Sequence, residues 1–261
     1  MQVQNVVNGF ARSAVRYDHH AEVQFQSAGR LIAYMEANTR DLIDGPLLEI
    51  GCGTGVLSKQ MLDIFSDRDV QITDACEQMV TQCRTRLASK AGESNRVELS
   101  VLDAQEYCSP DTFAMIAAAF TLQWIPDLDR SMQNLQRSLR PGGKLFFSLP
   151  TSNSFPEWRN MCRAAGVPFT GNQLPEASFF RAFAANNDLR LSLYEETFKV
   201  SYRSLLHFLQ SLKLLGAHTS EHIAPLSVRE IRRLLNYASK EYPSNFPVTY
   251  KVLFGNFTKP V

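Results

Sequence analysis

Leu47-Leu48-Glu49-Ile50-Gly51-Cys52-Gly53-Thr54-Gly55, followed by Val56-Leu57-Ser58-Lys59-Gln60-Met61-Leu62, decides how this chain folds. A buried apolar run ends in an acid, glycines alternate through a turn, and the next residues can wind as a helix. Strand, tight turn and helix start form the arrangement that grips the sugar–adenine end of a nucleotide-like ligand. Glycine suits the turn because the backbone takes positive φ and a ligand can lie against it without a Cβ in the way. The spacing discriminates between ligands. A dinucleotide site reads GxGxxG and aims its N–H groups at a pyrophosphate. Here Gly51, Gly53 and Gly55 alternate as GxGxG, and Glu49 stands two residues before the first of them. An acid there repels a pyrophosphate and suits a cationic ligand.

Working outward, Asp69 to Asp74 reads as a second short strand ending in an acid. In nucleotide-binding α/β folds an acid about twenty residues beyond the first strand accepts hydrogen bonds from the ribose hydroxyls. Asp74 is the ribose candidate, with a helix from Glu77 to about Ser89 behind it. A third strand is expected from Arg96 to Leu102, closed by Asp103 and Ala104. The apolar run Phe113 to Phe120 suits a central strand covered on both faces, and it leads into Thr121-Leu122-Gln123-Trp124. Ser131 to Arg140 reads as an amphipathic helix stopped by Pro141-Gly142-Gly143, and Lys144 to Leu149 as the fifth strand. Strand and helix alternate, so the sheet should be parallel with helices on both faces.

Beyond Pro150 the rhythm changes. Thr151 to Gln173 is rich in Ser, Asn, Pro and Gly; a helix is expected from Glu176 to Asn187 and a strand from Leu189 to Ser201. Tyr202 to Glu241 looks wholly helical, and Val248 to Phe257 forms a last strand. Upstream, Asn8 to Gln24 is helix-prone, with Phe10, Ala14 and Tyr17 on one face, and a second helix runs from about Gln24 to Ala37. The expected division is 1–45 N-terminal helices over the cofactor, 46–200 core, 201–245 helical lid inserted between the last two strands, and 246–261 final strand.

The 261 residues carry a formal charge of +1, with 44 % hydrophobic and 20 % charged side chains. That balance is ordinary for a soluble globular protein and argues against a global nucleic-acid binder. Neither a secretory signal nor a membrane-length apolar run is read. Cys52, Cys76, Cys83, Cys108 and Cys162 contain no CxxC pair, so they read as reduced thiols in a cytoplasmic protein, with no metal site.

The E-x-G-x-G-x-G stretch resembles the first motif of the class I S-adenosylmethionine (SAM) dependent methyltransferases, and Leu139-Arg140-Pro141-Gly142-Gly143-Lys144-Leu145-Phe146-Phe147-Ser148 resembles a later loop and strand of that class. The resemblance implies a Rossmann-like α/β fold with a mostly parallel seven-stranded sheet and a lid insertion. It also implies a SAM site built from Tyr17, Glu49, Gly51, Cys52, Gly53, Gly55, Asp74, Ala75, Met79, Asp103, Ala104 and Phe120, with Asp103 on the adenine amino group.

Four further stretches resemble a narrower family, the malonyl-acyl-carrier-protein O-methyltransferases of biotin synthesis. They are Phe10, Arg12, Ala14, Tyr17, His20, Ala21 and Gln24 at family spacing; Leu122-Gln123-Trp124; Ser211-Leu212-Lys213-Leu214-Leu215-Gly216-Ala217; and Phe246-Pro247-Val248-Thr249-Tyr250. The resemblance implies methylation of the free carboxyl of a malonyl thioester on acyl carrier protein or coenzyme A. Such a carboxylate is already ionised at neutral pH, so the site needs a cation or donor set rather than a base. Lys213 and His218 are the candidates for holding it, with Tyr17, Gln123 and Trp124 closing the cavity. Arg229, Arg232 and Arg233, opposite Ile231, Leu234 and Leu235 on a helix capped by Ser227, are the candidate dock for an acidic carrier protein. Two alternatives stay open: a methyltransferase for a quinone-type or other small molecule, which predicts a base at the end of the fourth strand, and a SAM-binding module without catalysis.

Overall fold

Leu47 and Leu48 are both fully buried, yet they belong to hydrophobic clusters on opposite faces of one sheet. That is the period-two geometry of a strand covered on both sides. The structure, a computed structural model, describes residues 3–88, 96–217 and 225–261. Its seven-stranded sheet comprises β1 (Leu47–Ile50), β2 (Val70–Asp74), β3 (Val97–Val101), β4 (Phe113–Ala119), β5 (Leu139–Pro150), β6 (Arg190–Tyr202) and β7 (Phe246–Thr258). The order is β3-β2-β1-β4-β5-β7-β6. The first five strands are parallel, and β7 runs antiparallel between β5 and β6. This is the Rossmann-like, mostly parallel sheet expected.

The helices are α1 (Val3–Ser13), α2 (Glu22–Asn38), α3 (Val56–Ile64), α4 (Glu77–Leu87), α5 (Leu128–Ser138), α6 (Pro156–Ala164), α7 (Ala177–Asn186), α8 (Leu205–Leu214) and α9 (Val228–Glu241). Side chains of α2 and α3 pack on one face of the sheet and those of α5 and α7 on the other. Helices α8 and α9 fall in the chain between β6 and β7. Strand order reverses between β1 and β4, and ligands of open α/β sheets bind outside the strand carboxyl ends at such a switch point.

Several expected elements differ in detail. The N-terminal helix ends at Ser13, and Tyr17–His19 forms a separate 3-10 turn before α2 begins. Helix α5 starts at Leu128 rather than Ser131 because Asp127 caps it, its carboxylate accepting the Arg130 N–H at 3.1 Å. Pro141-Gly142-Gly143 lies inside β5 rather than ahead of it, taken up as a register shift against β4 between Phe113 and Met115. The polar stretch after Pro150 contains α6, whose sequence signals were Pro156 at the first turn and Trp158, Met161, Cys162 and Ala165 at helical spacing. The block from 202 to 241 divides into α8 and α9.

Candidate functional site

The glycines of the first turn serve different purposes. Gly51, Gly53 and Gly55 all take positive φ, at 69°, 54° and 86°. A Cβ on Gly51 would fall 2.3 Å from the Thr121 side chain, and one on Gly55 would fall 2.7 Å from Cys83 Sγ. A Cβ on Gly53 would meet nothing within 4 Å. The expectation that all three make room for a ligand is therefore corrected. Gly51 and Gly55 make room for the protein's own β4 end and α4, and Gly53 alone opens on empty space. The loop is held by Asp74, whose two carboxylate oxygens accept the N–H groups of Gly53 at 2.9 Å and Cys76 at 2.8 Å.

Around this loop lies a cavity of about 140 Å³, and two acids in it are electrostatically unusual. Glu49 is buried, and its Oε2 has no partner among the described residues. Burial pushes its carboxyl up to about 8; the Ser58 hydroxyl opposes the shift, and Cys83 and Asp74 add to it. Burial also pushes Asp74 up to about 6, against the two N–H groups that it accepts. Burial raises the Tyr17 phenol far above its usual value, with Asp74 and Asp18 adding to it, so Tyr17 remains a donor at neutral pH. An orphaned carboxyl oxygen, a second acid at the end of β2 that holds the loop, and one uncovered glycine fit a nucleoside that carries a cationic tail.

Of the cofactor residues expected from the sequence, Tyr17, Glu49, Gly51, Cys52, Gly53, Asp74, Ala75, Met79, Asp103, Ala104 and Phe120 line this cavity. Gly55 does not; it backs onto Cys83. The Asp103 side chain accepts the Gln105 N–H at 2.9 Å, which orders the loop after β3. The roof comes from α1 and the 3-10 turn. Phe10 packs edge-on against Trp124 with ring centroids 5.4 Å apart, and Tyr17 lies 6.3 Å from Phe10. Sequence reasoning missed the fastening of this roof. Asp18 accepts from Thr54 Oγ1 at 2.7 Å and pairs with Arg86 of α4, whose guanidinium also lies over Phe25 of α2. The only sequence signal was an acid next to Tyr17.

A second cavity of about 200 Å³ lies on the far side of the same wall, because Phe10, Tyr17, Gln24, Phe120 and Trp124 line both. Its remaining walls come from Gln123, from Pro150, Phe155 and Trp158, from Thr170, Gly171, Asn172 and Leu174 of the loop after α6, from Leu209, Leu212, Leu215 and Ala217 around α8, and from Tyr250 of β7. Among the described residues that line it there is no Asp, Glu, His, Lys or Arg. Phe120, at the shared wall, takes φ +52°, and its carbonyl accepts Gln123 Nε2 at 2.7 Å. A non-glycine residue held there costs about 1–2 kcal/mol, and such strain marks sites whose surroundings over-determine the backbone.

The substrate candidates divide. Gln123 and Trp124 line the second cavity, as does Tyr17. Lys213 does not: it sits on the exposed face of α8, because the residues of that helix facing the cavity are Leu209 and Leu212. His218 lies outside the described residues. Arg229, Arg232 and Arg233 are exposed on α9, and Arg233 donates to the Gly166 carbonyl at 2.6 Å. Ile231, expected on the buried face, is 39 % exposed, and α9 anchors through Leu234 and Ala238 instead.

Residues 47–143 match the family model described as methyltransferase domain. The chain is 29 % identical over 254 residues to a malonyl-[acyl-carrier protein] O-methyltransferase of Magnetococcus marinus, covering 94 % of this chain and 89 % of the relative. It is 27 % identical to the protein of the same name from Halalkalibacterium halodurans, over 96 % of each chain. Among solved structures, the YcgJ protein of Bacillus subtilis superposes with a TM-score of 0.64 at 14 % identity, covering 89 % of this chain and 99 % of that one. The fold and the glycine loop define a class I methyltransferase. Within that class, likeness along the whole chain is to malonyl-[acyl-carrier protein] O-methyltransferases.

Proposed function

We propose that this protein methylates the free carboxylate of a malonyl thioester carried on acyl carrier protein, with SAM as methyl donor, in the synthesis of the pimeloyl part of biotin. One observation carries the reading: relatives of that name align over nine-tenths or more of the chain, through β6, α8, α9 and β7 as well as the glycine loop. The loop alone would support only the class. The paired cavities agree with it, one for a nucleoside and one for an acyl group, meeting at Tyr17, Phe120 and Trp124.

In this reading Glu49 meets the cationic tail of SAM, Asp74 takes the ribose hydroxyls, and Asp103 with Ala104 reads the adenine. Bound SAM would supply a methyl group on a sulfonium for transfer to the carboxylate oxygen, with the C–S electron pair left on sulfur. No proton moves, so a cavity wall without a base suffices. Tyr17, protonated at neutral pH, can donate to the carboxylate at the shared wall. Phe10 and Trp124 keep water out, and alignment with desolvation lowers the barrier. The quinone-type alternative needs a base at the end of β4, and Thr121, Leu122 and Gln123 provide none.

The partner in this reading is acyl carrier protein, which is strongly acidic, and the proposed dock is the basic face of α9. The division of the chain into N-terminal cover, core and lid belongs to the same proposal: α1 roofs the cofactor cavity, and α8 roofs the acyl cavity. Incubating the protein with labelled SAM and malonyl-carrier protein, in parallel with malonyl-coenzyme A, should produce an alkali-labile methyl ester. No ester from either thioester would leave the class standing and remove the substrate.

A further inference from the structure

The second cavity holds one buried acceptor without a partner. Gln123 is 8 % exposed, its Nε2 donates to the Phe120 carbonyl at 2.7 Å, and its Oε1 has no hydrogen-bond partner among the described residues. The orientation of this amide is settled by chemistry, because the Phe120 carbonyl requires the donor end. Gln123 lines the second cavity, and its leftover amide atom is an acceptor, as the unpartnered Trp158 Nε1 on the same lining is a donor. A buried acceptor is costly to leave unpaired, and the cavity that Gln123 lines is also lined by Trp158, Leu209, Leu212 and Tyr250.

An ionised malonyl group brings no donor, and its oxygens would be repelled by Oε1. The arm that carries the acyl group does bring donors. A carrier-protein or coenzyme A thioester continues from sulfur through two methylenes to an amide N–H, then to a second amide. We propose that the second cavity seats this arm, with Gln123 Oε1 accepting an arm amide N–H while the aromatic and leucine side chains of the walls cover its methylenes. The inference rests on the thioester reading above, and it names which end of the substrate Gln123 recognises. Gln123 is then a specificity residue for amide-bearing arms.

The test separates the arm from the methyl transfer. The probes are S-acetyl-N-acetylcysteamine, which has one amide, and its ketone analogue, in which CH2 replaces the amide N–H. Neither carries a malonyl carboxylate. Binding to the full chain with S-adenosylhomocysteine present is read from tryptophan fluorescence, since Trp124 and Trp158 line the cavity. The wild-type protein should bind the amide about ten-fold more tightly than the ketone, and Gln123→Met should bring that ratio close to one. Equal binding of the two probes to the wild type would overturn the proposal, and so would a ratio unchanged in Gln123→Met. The wild-type ratio decides the matter even if the variant does not fold. An amide preference without methyl ester formation would keep this subsite and remove the malonyl reading; ester formation without the preference would do the reverse.

Discussion

Glu49 shows how one side chain can combine a cost with a use. A carboxyl under 2 % exposed, with one oxygen unpartnered, stays protonated until about pH 8 because water no longer solvates its charge. Asp74 behaves likewise up to about 6. Both folded-state values lie above those of the unfolded chain, so the ligand-free protein loses stability as pH rises through about 6 and then about 8. A cationic ligand favours the ionised carboxyl and reverses that trend. SAM affinity should therefore rise between pH 6 and 8 with release of a proton, seen calorimetrically in two buffers of different ionisation enthalpy. Glu49→Gln should weaken SAM by about ten-fold or more and remove the proton release above pH 7. An unchanged pH profile in that variant would mean Glu49 does not meet the cation. The glycines give a second residue-scale prediction. Gly51→Ala and Gly55→Ala should lower the melting temperature, because Thr121 and Cys83 occupy the space. Gly53→Ala has space, so it should cost only about 1–2 kcal/mol of strain from its φ and show mainly in SAM affinity. Equal melting temperatures for all three variants would refute this division.

At the scale of elements, the N-terminal cover and the helical insertion meet through two glycines. A Cβ on Gly9 of α1 would sit 2.9 Å from the Gly216 carbonyl oxygen, and one on Gly216, just past α8, would sit 2.8 Å from Gly9. Gly216 also takes φ +78°. The contact brings Phe10 to the shared wall and Ala217 to the second cavity. Gly9→Ala should push α1 away from the insertion, raising the Michaelis constants for both SAM and acyl substrate. Gly216→Ala should do the same with a further loss of stability from its backbone. A Gly9→Ala enzyme with wild-type constants would show that this contact does not set the cavity wall. The same logic explains Phe246-Pro247-Val248-Thr249-Tyr250. Glu157 of α6 accepts the Thr249 N–H at 3.0 Å and its hydroxyl at 2.5 Å, and the next residue, Tyr250, lines the cavity.

At the scale of the whole molecule, charge is distributed by face rather than in sum. A net +1 predicts no attraction to an acidic partner, whereas α9 places Arg229 and Arg232 side by side on an exposed helix end next to exposed Val228 and Ile231. Because Arg233 is engaged with Gly166, Arg229 and Arg232 are the pair to reverse. Arg229→Glu with Arg232→Glu should raise the Michaelis constant for malonyl-carrier protein several-fold, more at low salt, without altering SAM affinity. If the constant does not move, α9 is not the docking face.

How much was legible in the residues differs along the chain. The strand, glycine turn and helix at 47–62 and the acids at 74 and 103 could be read directly, because local spacing alone dictates period-two strands and the turn that follows them. The β5 register shift and the start of α5 at Asp127 needed context, since propensity does not say whether a Pro-Gly-Gly run ends an element or is absorbed by its neighbour. Lys213 was misplaced for a similar reason. Its motif could be read, but the direction in which α8 faces depends on which residues pack against Phe155 and Trp158. The sequence by itself determined the α/β sheet, the cofactor loop and the family likeness, all of which rest on short-range patterns. Only the tertiary structure decided that Gly53 alone of the loop glycines is open, that two cavities share one aromatic wall, and that Gln123 donates to the Phe120 carbonyl and leaves its own oxygen without a partner. Those facts rest on contacts between residues far apart in the chain, and no local pattern encodes them.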